Sequence, residues 1–233
     1  MILNNYFVLP AAFIILTACA PSQRSDAGRY GIKAVENFRE YKKLVRADSS
    51  DALVSVSKFI PSVVLDLRYA TTNNFMKQAM YKTAQAYLSL AAIRSLKLVQ
   101  EELHKLGYGL KIYDAYRPYS VTVAFYETVK DTGFVASAYR GSRHNRGCAV
   151  DLTIVDLKTG SELLMPTAFD DFSEKAASDY PHLPPEMIKN RTLLQTVMTS
   201  NGFIIYANEW WHFDYKGWKD HPIIDISFRQ LSK

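Results

Sequence analysis

The sequence predicts a single α+β domain with a mainly antiparallel central sheet flanked by helices. Segments whose apolar residues recur at helical spacing alternate with short β-branched runs, and hairpin-like turns separate some of these runs. No internal repeat or low-complexity segment stands out. With 233 residues, of which 48% are hydrophobic and 22% charged, the chain is large enough for one substantial core.

The first half of the chain predicts two helices separated by strands. Apolar residues at helical spacing predict a peripheral helix over residues 32–46. Residues 50–71 contain short β-branched runs broken by Pro61, which predict a strand followed by a second strand or an extended loop. Helical spacing returns over residues 84–106, and Gly107 marks the end of this long helix.

The second half alternates strands with helices. Residues 109–118 predict a strand, and Pro118 holds Arg117 in an extended conformation at the strand end. The other predicted elements are a helix over 120–131, a strand over 148–156 with a turn over 157–160, a helix over 190–202, and a last strand or strand pair over 203–215.

The amino-terminal segment has the pattern of an export signal. An uncharged apolar run over residues 6–18 is too short to span a bilayer, and LTAC at residues 16–19 resembles the bacterial lipobox. We therefore expect a signal peptide over 1–18, lipidation at Cys19, a tether over 19–31 and the folded domain over 32–233. This predicts an envelope protein anchored in the membrane by lipid and facing the periplasm or the exterior. An ordinary cleaved signal or a buried strand is the alternative.

Charge and cysteine content limit the partners. The formal net charge is +5, but the basic residues are scattered, in pairs such as Lys42-Lys43, and form no stripe with aromatic residues. This pattern argues against nucleic-acid binding, and the sequence predicts no obligate protein partner. If Cys19 carries lipid, Cys148 has no partner for an internal disulfide.

The segment GSRHNRGCAVDL, residues 141–152, combines candidate metal ligands with a strand. Strand alternation over 148–154 turns every second side chain toward the core and leaves Asp151 on the other face, accessible at the floor of a cleft. His144 precedes the strand across a turn that Gly147 eases. Because zinc sites use imidazole and carboxylate ligands, His144 and Asp151 are candidates for two of them.

The segment NEWWHFDY supplies a candidate third ligand, His212, with Glu209 as a candidate general base for metal-activated water. Residues three apart on a regular strand face opposite sides. We therefore predict that regular pairing starts after Glu209, with a bulge, bend or helical turn before His212. Taken singly, a histidine is more often a surface or hydrogen-bonded residue, and an aspartate near a turn is usually a cap.

Four blocks of the chain are similar to the D-alanyl-D-alanine dipeptidase family, the vancomycin-resistance type of zinc peptidase related to D,D-carboxypeptidases. They are DLRYATTNNF at 66–75, GYGLKIYDAYRP at 107–118, SRHNRGCAVDLTI at 142–154 and EWWHF at 209–213. The resemblance covers roughly residues 60–230 and implies the zinc D,D-peptidase fold, which is hedgehog-like, with residues 32–233 as the catalytic domain.

The resemblance also implies site residues. One zinc ion per chain would be bound by His144, Asp151 and His212, with Glu209 as the catalytic base and Arg117 stabilising the oxyanion. Substrate contacts would come from Ser142 near the carboxylate and from Tyr69 and Asp170 near the ammonium group, with Asp171 as an alternative to Asp170. Without a functional role, Tyr69 would be a core residue, Ser142 a turn residue and Asp170 a solvated loop carboxylate.

The resulting hypothesis is a lipid-anchored zinc dipeptidase that hydrolyses D-alanyl-D-alanine in the cell envelope. The loop between the helix near residue 130 and Ser142 is shorter than in the typical resistance enzymes, which favours a rival: a D,D-carboxypeptidase or peptidoglycan endopeptidase that acts on longer stem peptides. Cys148 also replaces the more usual serine or alanine. A second rival is a catalytically silent envelope binding module.

Overall fold

The computed structural model describes residues 25–232, so the predicted signal peptide, Cys19 and most of the tether lie outside the described residues. The helices are α1 (Asp26–Tyr30), α2 (Phe38–Ala47), α3 (Val56–Phe59), α4 (Leu90–Lys105), α5 (Tyr119–Val129), α6 (Pro185–Ser200) and α7 (Phe228–Leu231). The strands are β1 (Ala34–Val35), β2 (Leu53–Ser55), β3 (Val64–Leu65), β4 (Tyr87–Ser89), β5 (Tyr108–Asp114), β6 (Ala149–Asp156), β7 (Phe203–Ile205), β8 (His212–Tyr215) and β9 (Ile223–Ile224). None of the described helices has the length and apolar character needed to span a bilayer.

A five-stranded sheet with the order β3-β5-β6-β8-β7 forms the centre of the domain. β3 pairs with β5 in parallel, and the remaining neighbours pair antiparallel. The α+β class is confirmed, but the sheet is mixed, and the expectation of a mainly antiparallel sheet is corrected. The parallel edge arises because the chain passes from β3 to β5 through α4, and a helical crossover returns a strand in the same direction.

Helix α4 and strands β5 and β6 form the main apolar layer. The core side of α4 carries the buried residues Ala92, Ile93, Leu96, Val99 and Leu103. They belong to one cluster with Leu110, Ile112, Leu152 and Ile154 of the sheet, all of which have no exposed surface. Each fully buried aliphatic side chain of this size contributes about 1.5–3 kcal/mol. This layer therefore holds rigid the two strands that carry the site.

Strand β6 is buried on both faces. The predicted core face is confirmed, since Cys148, Val150, Leu152 and Ile154 are 0% exposed. The other face, expected to be accessible, is also covered: Asp151 is 3% exposed and Thr153 is 0% exposed. The side chains of a cavity wall, described below, surround Asp151. Its carboxylate therefore faces a cavity, and very little of it reaches solvent.

Two helices are shorter than predicted at their amino-terminal ends. The first residues of the range 32–46 form β1, and α2 begins only after Asn37, whose side chain accepts a hydrogen bond from a backbone amide of the first turn. The helix expected from Ala84 likewise begins after Ser89, because the residues before it form β4. In both places pairing with a distant strand overrides the apolar periodicity.

The other elements follow the predicted order. Within residues 50–71 the structure adds α3, a single helical turn, between two strands. Strand β5 ends at Asp114, so Arg117 lies three residues beyond the strand rather than at its end. The helix over 120–131 and the strand over 148–156 are confirmed, and α6 begins five residues before the predicted 190. The last strand pair is confirmed as β7 and β8.

Helix α1 lies within the range expected to be a tether. Ala27 is buried in one cluster with Tyr119 and Val123 of α5, and Arg29 forms an ion pair with Glu127 at 2.6 Å. The last residues of the range 19–31 therefore pack against the domain.

Candidate metal and catalytic site

Three side chains from two segments of the chain converge on one point. Asp151 and His212 are directly paired residues of β6 and β8, and His144 lies in a single helical turn just before β6. Nδ1 of His212 is 3.0 Å from Oδ1 of Asp151 and 3.2 Å from Nε2 of His144. That Nε2 atom is 3.4 Å from Oδ2 of Asp151. Among residues 25–232, this triad is the group of side chains suited to hold a metal ion.

The hydrogen bonds of the two imidazoles indicate what the triad would bind. Nδ1 of His144 is 2.6 Å from the carbonyl oxygen of Ala115, which can only accept, so this nitrogen is the donor. Nε2 of His212 lies 3.0 Å from Oδ1 of Asp214, so with a cation at the triad Nε2 would donate to Asp214 and Nδ1 would present its lone pair to the cation. Two imidazole nitrogens and the two carboxylate oxygens of Asp151 thus face one another, an arrangement that favours a cation.

The spacing fits zinc. Ligand atoms about 2.0–2.2 Å from a tetrahedral ion lie roughly 3.3–3.6 Å from one another. The three separations in the triad, 3.0, 3.2 and 3.4 Å, fall at or just below this range. Two imidazoles and one carboxylate are also the donor set of a catalytic zinc site, in which the protein leaves the fourth position to water. The residues present therefore fit a zinc ion.

Glu209 lies beside the triad, with Oε2 3.7 Å from Nδ1 of His212. The prediction that regular pairing starts after Glu209 is confirmed, because residues 207–211 form turns and β8 starts at His212. The backbone amide of Trp210 donates to the carbonyl of Ala176 at 2.8 Å and anchors this turn. Burial raises the pKa of Glu209 to about 7, which suits a group that must both accept and release a proton near neutral pH.

Arg117 also lies beside the triad and is held by an aspartate. Its Nε and Nη2 atoms donate to Oδ2 of Asp114 at 3.0 and 2.8 Å, and its Nη2 atom lies 3.8 Å from Oδ2 of Asp151. The other oxygen of Asp114 accepts from the hydroxyl of Tyr81 at 2.8 Å. Two charge-assisted hydrogen bonds to one oxygen fix the guanidinium plane, so a donor of fixed orientation faces the cavity.

Tyr69 and Asp170 form a second polar pair in the cavity. The Tyr69 hydroxyl lies 3.1 Å from each carboxylate oxygen of Asp170, while Asp171 instead accepts from the amide of Ser173 in a turn. Of the two alternatives left open by the sequence, Asp170 is thus the residue that faces the cavity. Its backbone has a left-handed φ of 62°. Burial raises its pKa well above the usual range, and the nearby negative charge of Asp151 adds to the shift.

Ser142 lies at the start of the turn that carries His144. Its hydroxyl accepts from the amide of His144 at 3.2 Å and also lines the cavity. The fully buried Asn145 ties this turn to the segment around Arg117, since its amide donates to the Arg117 carbonyl at 2.9 Å and to the Thr122 hydroxyl at 2.8 Å. His144 and Arg117 are therefore held by one hydrogen-bond network.

All predicted site residues other than Cys19, which lies outside the described residues, line a single cavity of about 390 Å³. They are Tyr69, Arg117, Ser142, His144, Asp151, Asp170, Glu209 and His212. The loop over 130–141 borders this cavity, and the ring of Phe134 in that loop contacts the ring of Phe172 with centroids 4.8 Å apart. The cavity volume lies in the range of small-ligand sites.

Sequence reasoning missed the residues that hold the site in place. Asp114, Asp214 and Asn145 were not singled out, although each makes a hydrogen bond to the predicted site or its backbone. A signal existed for two of them. Asp214 follows His212 by two positions on a strand, and Asp114 precedes Arg117 by three. The spacing suggests a contact in each case, but only the positions of the side chains in the structure show that the contact forms.

Comparisons of the sequence with known proteins show its family. A family model described as D-ala-D-ala dipeptidase matches residues 49–226. A D-alanyl-D-alanine dipeptidase of Escherichia coli (strain K12) is 34% identical over 176 residues, which cover 76% of this chain and 91% of the relative. A second D-alanyl-D-alanine dipeptidase, from Enterococcus faecalis, is 28% identical over a match that covers 74% of this chain and 94% of the relative.

A more distant overlap exists with a solved structure. A vancomycin-resistance D,D-pentapeptidase, VanY, solved in complex with Zn(II), is 18% identical with a TM-score of 0.34, over 57% of this chain and 75% of that one. The family assignment depends on the sequence matches alone, and the range of the family model includes every residue of the cavity discussed above. The chain belongs to the D-alanyl-D-alanine dipeptidase family of M15 metallopeptidases, and is a hydrolase of that family.

Proposed function

We propose that this protein hydrolyses the free dipeptide D-alanyl-D-alanine in a zinc-dependent reaction. The observation that carries the proposal is the cavity in which the triad, Glu209, Arg117 and the Tyr69–Asp170 pair face one another. A metal triad, a base and a fixed cation are the parts that peptide hydrolysis by water requires. The relatives named above support the choice of substrate.

Each group has a separate task. A zinc ion held by His144, Asp151 and His212 would supply the Lewis acidity that polarises the peptide carbonyl and makes water a better nucleophile. Glu209 takes the proton of the attacking water and then delivers it to the leaving amine. The guanidinium of Arg117 donates to the carbonyl oxygen as negative charge develops there. Because Asp114 already orients Arg117, no reorganisation is needed during the reaction.

The Tyr69–Asp170 pair favours a substrate with a free ammonium group. Asp170 is a buried carboxylate that accepts a hydrogen bond from the neutral hydroxyl of Tyr69, and burial raises its pKa. An incoming ammonium would stabilise the charged form. A stem peptide has an acylated amine at the same position and would leave Asp170 unpaired. Phe134 and Phe172, whose rings contact each other, line the same cavity.

We also propose that the protein acts in the cell envelope, anchored through a lipid on Cys19. This proposal rests on the lipobox-like LTAC sequence at residues 16–19 and on the apolar run before it. Metabolic labelling with a fatty acid tests it: label is expected in the wild type and absent from Cys19→Ala. Label in neither protein, or equally in both, would contradict the anchor.

The decisive experiment measures bound zinc and D-alanyl-D-alanine hydrolysis for wild type, Glu209→Ala and Glu186→Ala. We expect near-stoichiometric zinc in all three and a loss of kcat by at least about 10²–10⁴-fold in Glu209→Ala only. Glu186 is an exposed glutamate on α6 and serves as the matched control. Activity of Glu209→Ala equal to wild type would remove Glu209 from the mechanism.

Two rivals predict different outcomes. A D,D-carboxypeptidase or endopeptidase would cleave a stem pentapeptide in strong preference to the free dipeptide, and this result would end the dipeptidase proposal. A silent binding module would contain no bound zinc and cleave neither substrate. The complete set of ligands, base and arginine in one cavity argues against the silent module.

A further inference from the structure

Arg143 is a charged residue of the cavity wall to which the mechanism above assigns no task. Its guanidinium stacks on the ring of Trp218, 4.9 Å from the ring centroid. On its inner side, Nε lies 3.5 Å from Oδ2 of Asp214. This buried Nε has no hydrogen-bond partner within residues 25–232. The side chain as a whole is 40% exposed, so its outer part is open to the cavity.

The neighbouring arginines differ from Arg143 in a way that matters for binding. Arg146 also stacks on Trp218, but its Nη1 donates to the carbonyl oxygen of His221. This hydrogen bond makes Arg146 a structural link between two segments of the chain. Arg140 is exposed at the rim. Arg143 alone combines a fixed orientation, from Trp218 and Asp214, with an outer edge that faces the cavity. An arginine held in place before binding loses little conformational entropy when it binds an anion.

Arg143 is linked to the triad by a series of side-chain contacts, in which Asp214 lies behind the cavity wall and the other members line the cavity. The series runs Asp170, Tyr69, Arg117, Asp151, His212, Asp214, Arg143. The triad lies in the middle of this series, with a carboxylate at one end and a guanidinium at the other. A zwitterion with its amine toward Asp170 would bring its carboxylate toward Arg143, and its central amide toward the triad.

We propose that Arg143 binds the terminal carboxylate of the substrate and so makes the enzyme selective for peptides with a free carboxyl end. The proposal rests on the proposed dipeptidase function and adds a specificity-determining residue to it. The guanidinium fork matches the geometry of a carboxylate, and a charge-assisted pair of this kind is stronger than a neutral one. Ser142, the residue before it, would contribute a single hydroxyl to the same carboxylate.

The test compares D-alanyl-D-alanine with D-alanyl-D-alaninamide, whose carboxylate is replaced by a neutral amide. For zinc-loaded wild type we expect kcat/KM to favour the acid. In Arg143→Ala we expect KM for the acid to rise by about 10- to 100-fold, with the amide substrate almost unchanged, so that the preference is lost. Arg143→Lys keeps the charge but not the fork and is expected to fall between the two.

Arg94→Ala removes an exposed arginine of α4 outside the cavity and is the matched control; its preference for the acid should equal that of wild type. Bound zinc is measured in each variant. An equal loss on acid and amide in Arg143→Ala, or a fall in its zinc content, would overturn the proposal, since Arg143 would then act through Asp214 and His212. Retained preference in Arg143→Ala overturns this proposal alone. Wild type that cleaves neither compound overturns the proposed function and this assignment with it.

Discussion

Oδ1 of Asp214 lies 3.0 Å from Nε2 of His212, on the opposite side of the imidazole ring from Asp151. Both aspartates thus contact one histidine, Asp151 at the nitrogen that faces the triad and Asp214 at the other. A carboxylate behind a ligating histidine fixes the ring orientation and raises the basicity of the ligand nitrogen. Asp214 is therefore a positioning residue for the proposed zinc site.

Replacing Asp214 should weaken metal binding. We expect Asp214→Ala to bind zinc about 10- to 100-fold more weakly, because His212 loses the partner that orients it. Competition with a chromophoric chelator measures this affinity. Asp220→Ala removes an exposed aspartate nearby and should bind zinc as wild type does. Equal affinities in the two variants would argue against a role for Asp214.

The buried pair of Asp114 and Arg117 should contribute strongly to stability. Asp114 is 1% exposed, so Asp114→Ala leaves an uncompensated guanidinium in the interior, at a cost of about 3–5 kcal/mol in the free energy of unfolding. Asp66→Ala breaks a partly exposed pair with Arg68 and should cost about 0–1 kcal/mol. Urea unfolding measures both. Similar losses in the two variants would contradict the burial argument.

The Tyr69–Asp170 pair should control selectivity at the amino end of the substrate. We expect Asp170→Asn to raise KM for D-alanyl-D-alanine by about 10-fold or more, since the charge that pairs with the ammonium is lost. N-acetyl-D-alanyl-D-alanine carries no ammonium and should be affected much less. Asp171→Asn, whose carboxylate serves a turn, is the control. A uniform effect on both substrates would exclude ammonium recognition.

The pH dependence of the reaction should report on Glu209. A general base must be ionised, so kcat/KM should fall as pH falls through the pKa of this group. Burial raises that pKa to about 7, and a dication at the triad would oppose the shift because it favours the carboxylate. We expect an acid limb with its midpoint at or below pH 7, and none in the residual activity of Glu209→Gln. Zinc content is measured at each pH, and a limb that persists in Glu209→Gln at full zinc occupancy would belong to another group.

Gly147 should be required for the turn that carries His144. Its φ is +63°, and a Cβ there would lie 2.5 Å from Cδ2 of Leu53 and 2.8 Å from the amide nitrogen of Ser89. Gly147→Ala should therefore lower the free energy of unfolding by about 1–3 kcal/mol and weaken zinc binding. Gly160 has a φ of +73° with open space around it, so Gly160→Ala isolates the backbone term. Equal losses on urea unfolding would show that the close packing at Gly147 contributes nothing.

Local sequence was informative where a pattern depends on near neighbours. The spacing of Glu209 and His212 required a break in the strand, and the structure has turns there, with pairing from His212 onward. The core face of β6 also followed from alternation alone. In contrast, α2 and α4 start later than predicted because the residues before them form strands: β1 pairs with β9, and β4 pairs with β2. Apolar periodicity does not reveal such pairing.

By itself the sequence determined the α+β class, most element positions and the set of side chains that meet in the cavity, because these depend on short-range periodicity and on blocks shared with a family. Only the tertiary structure decided that the sheet has a parallel edge, that Asp170 rather than Asp171 faces Tyr69, and that Asp114 and Asp214 hold Arg117 and His212. The tertiary structure also shows that Arg143 lies between Trp218 and Asp214. Strand register and loop packing bring these groups together from distant parts of the chain, and a linear pattern does not encode which of two adjacent carboxylates a fold turns inward.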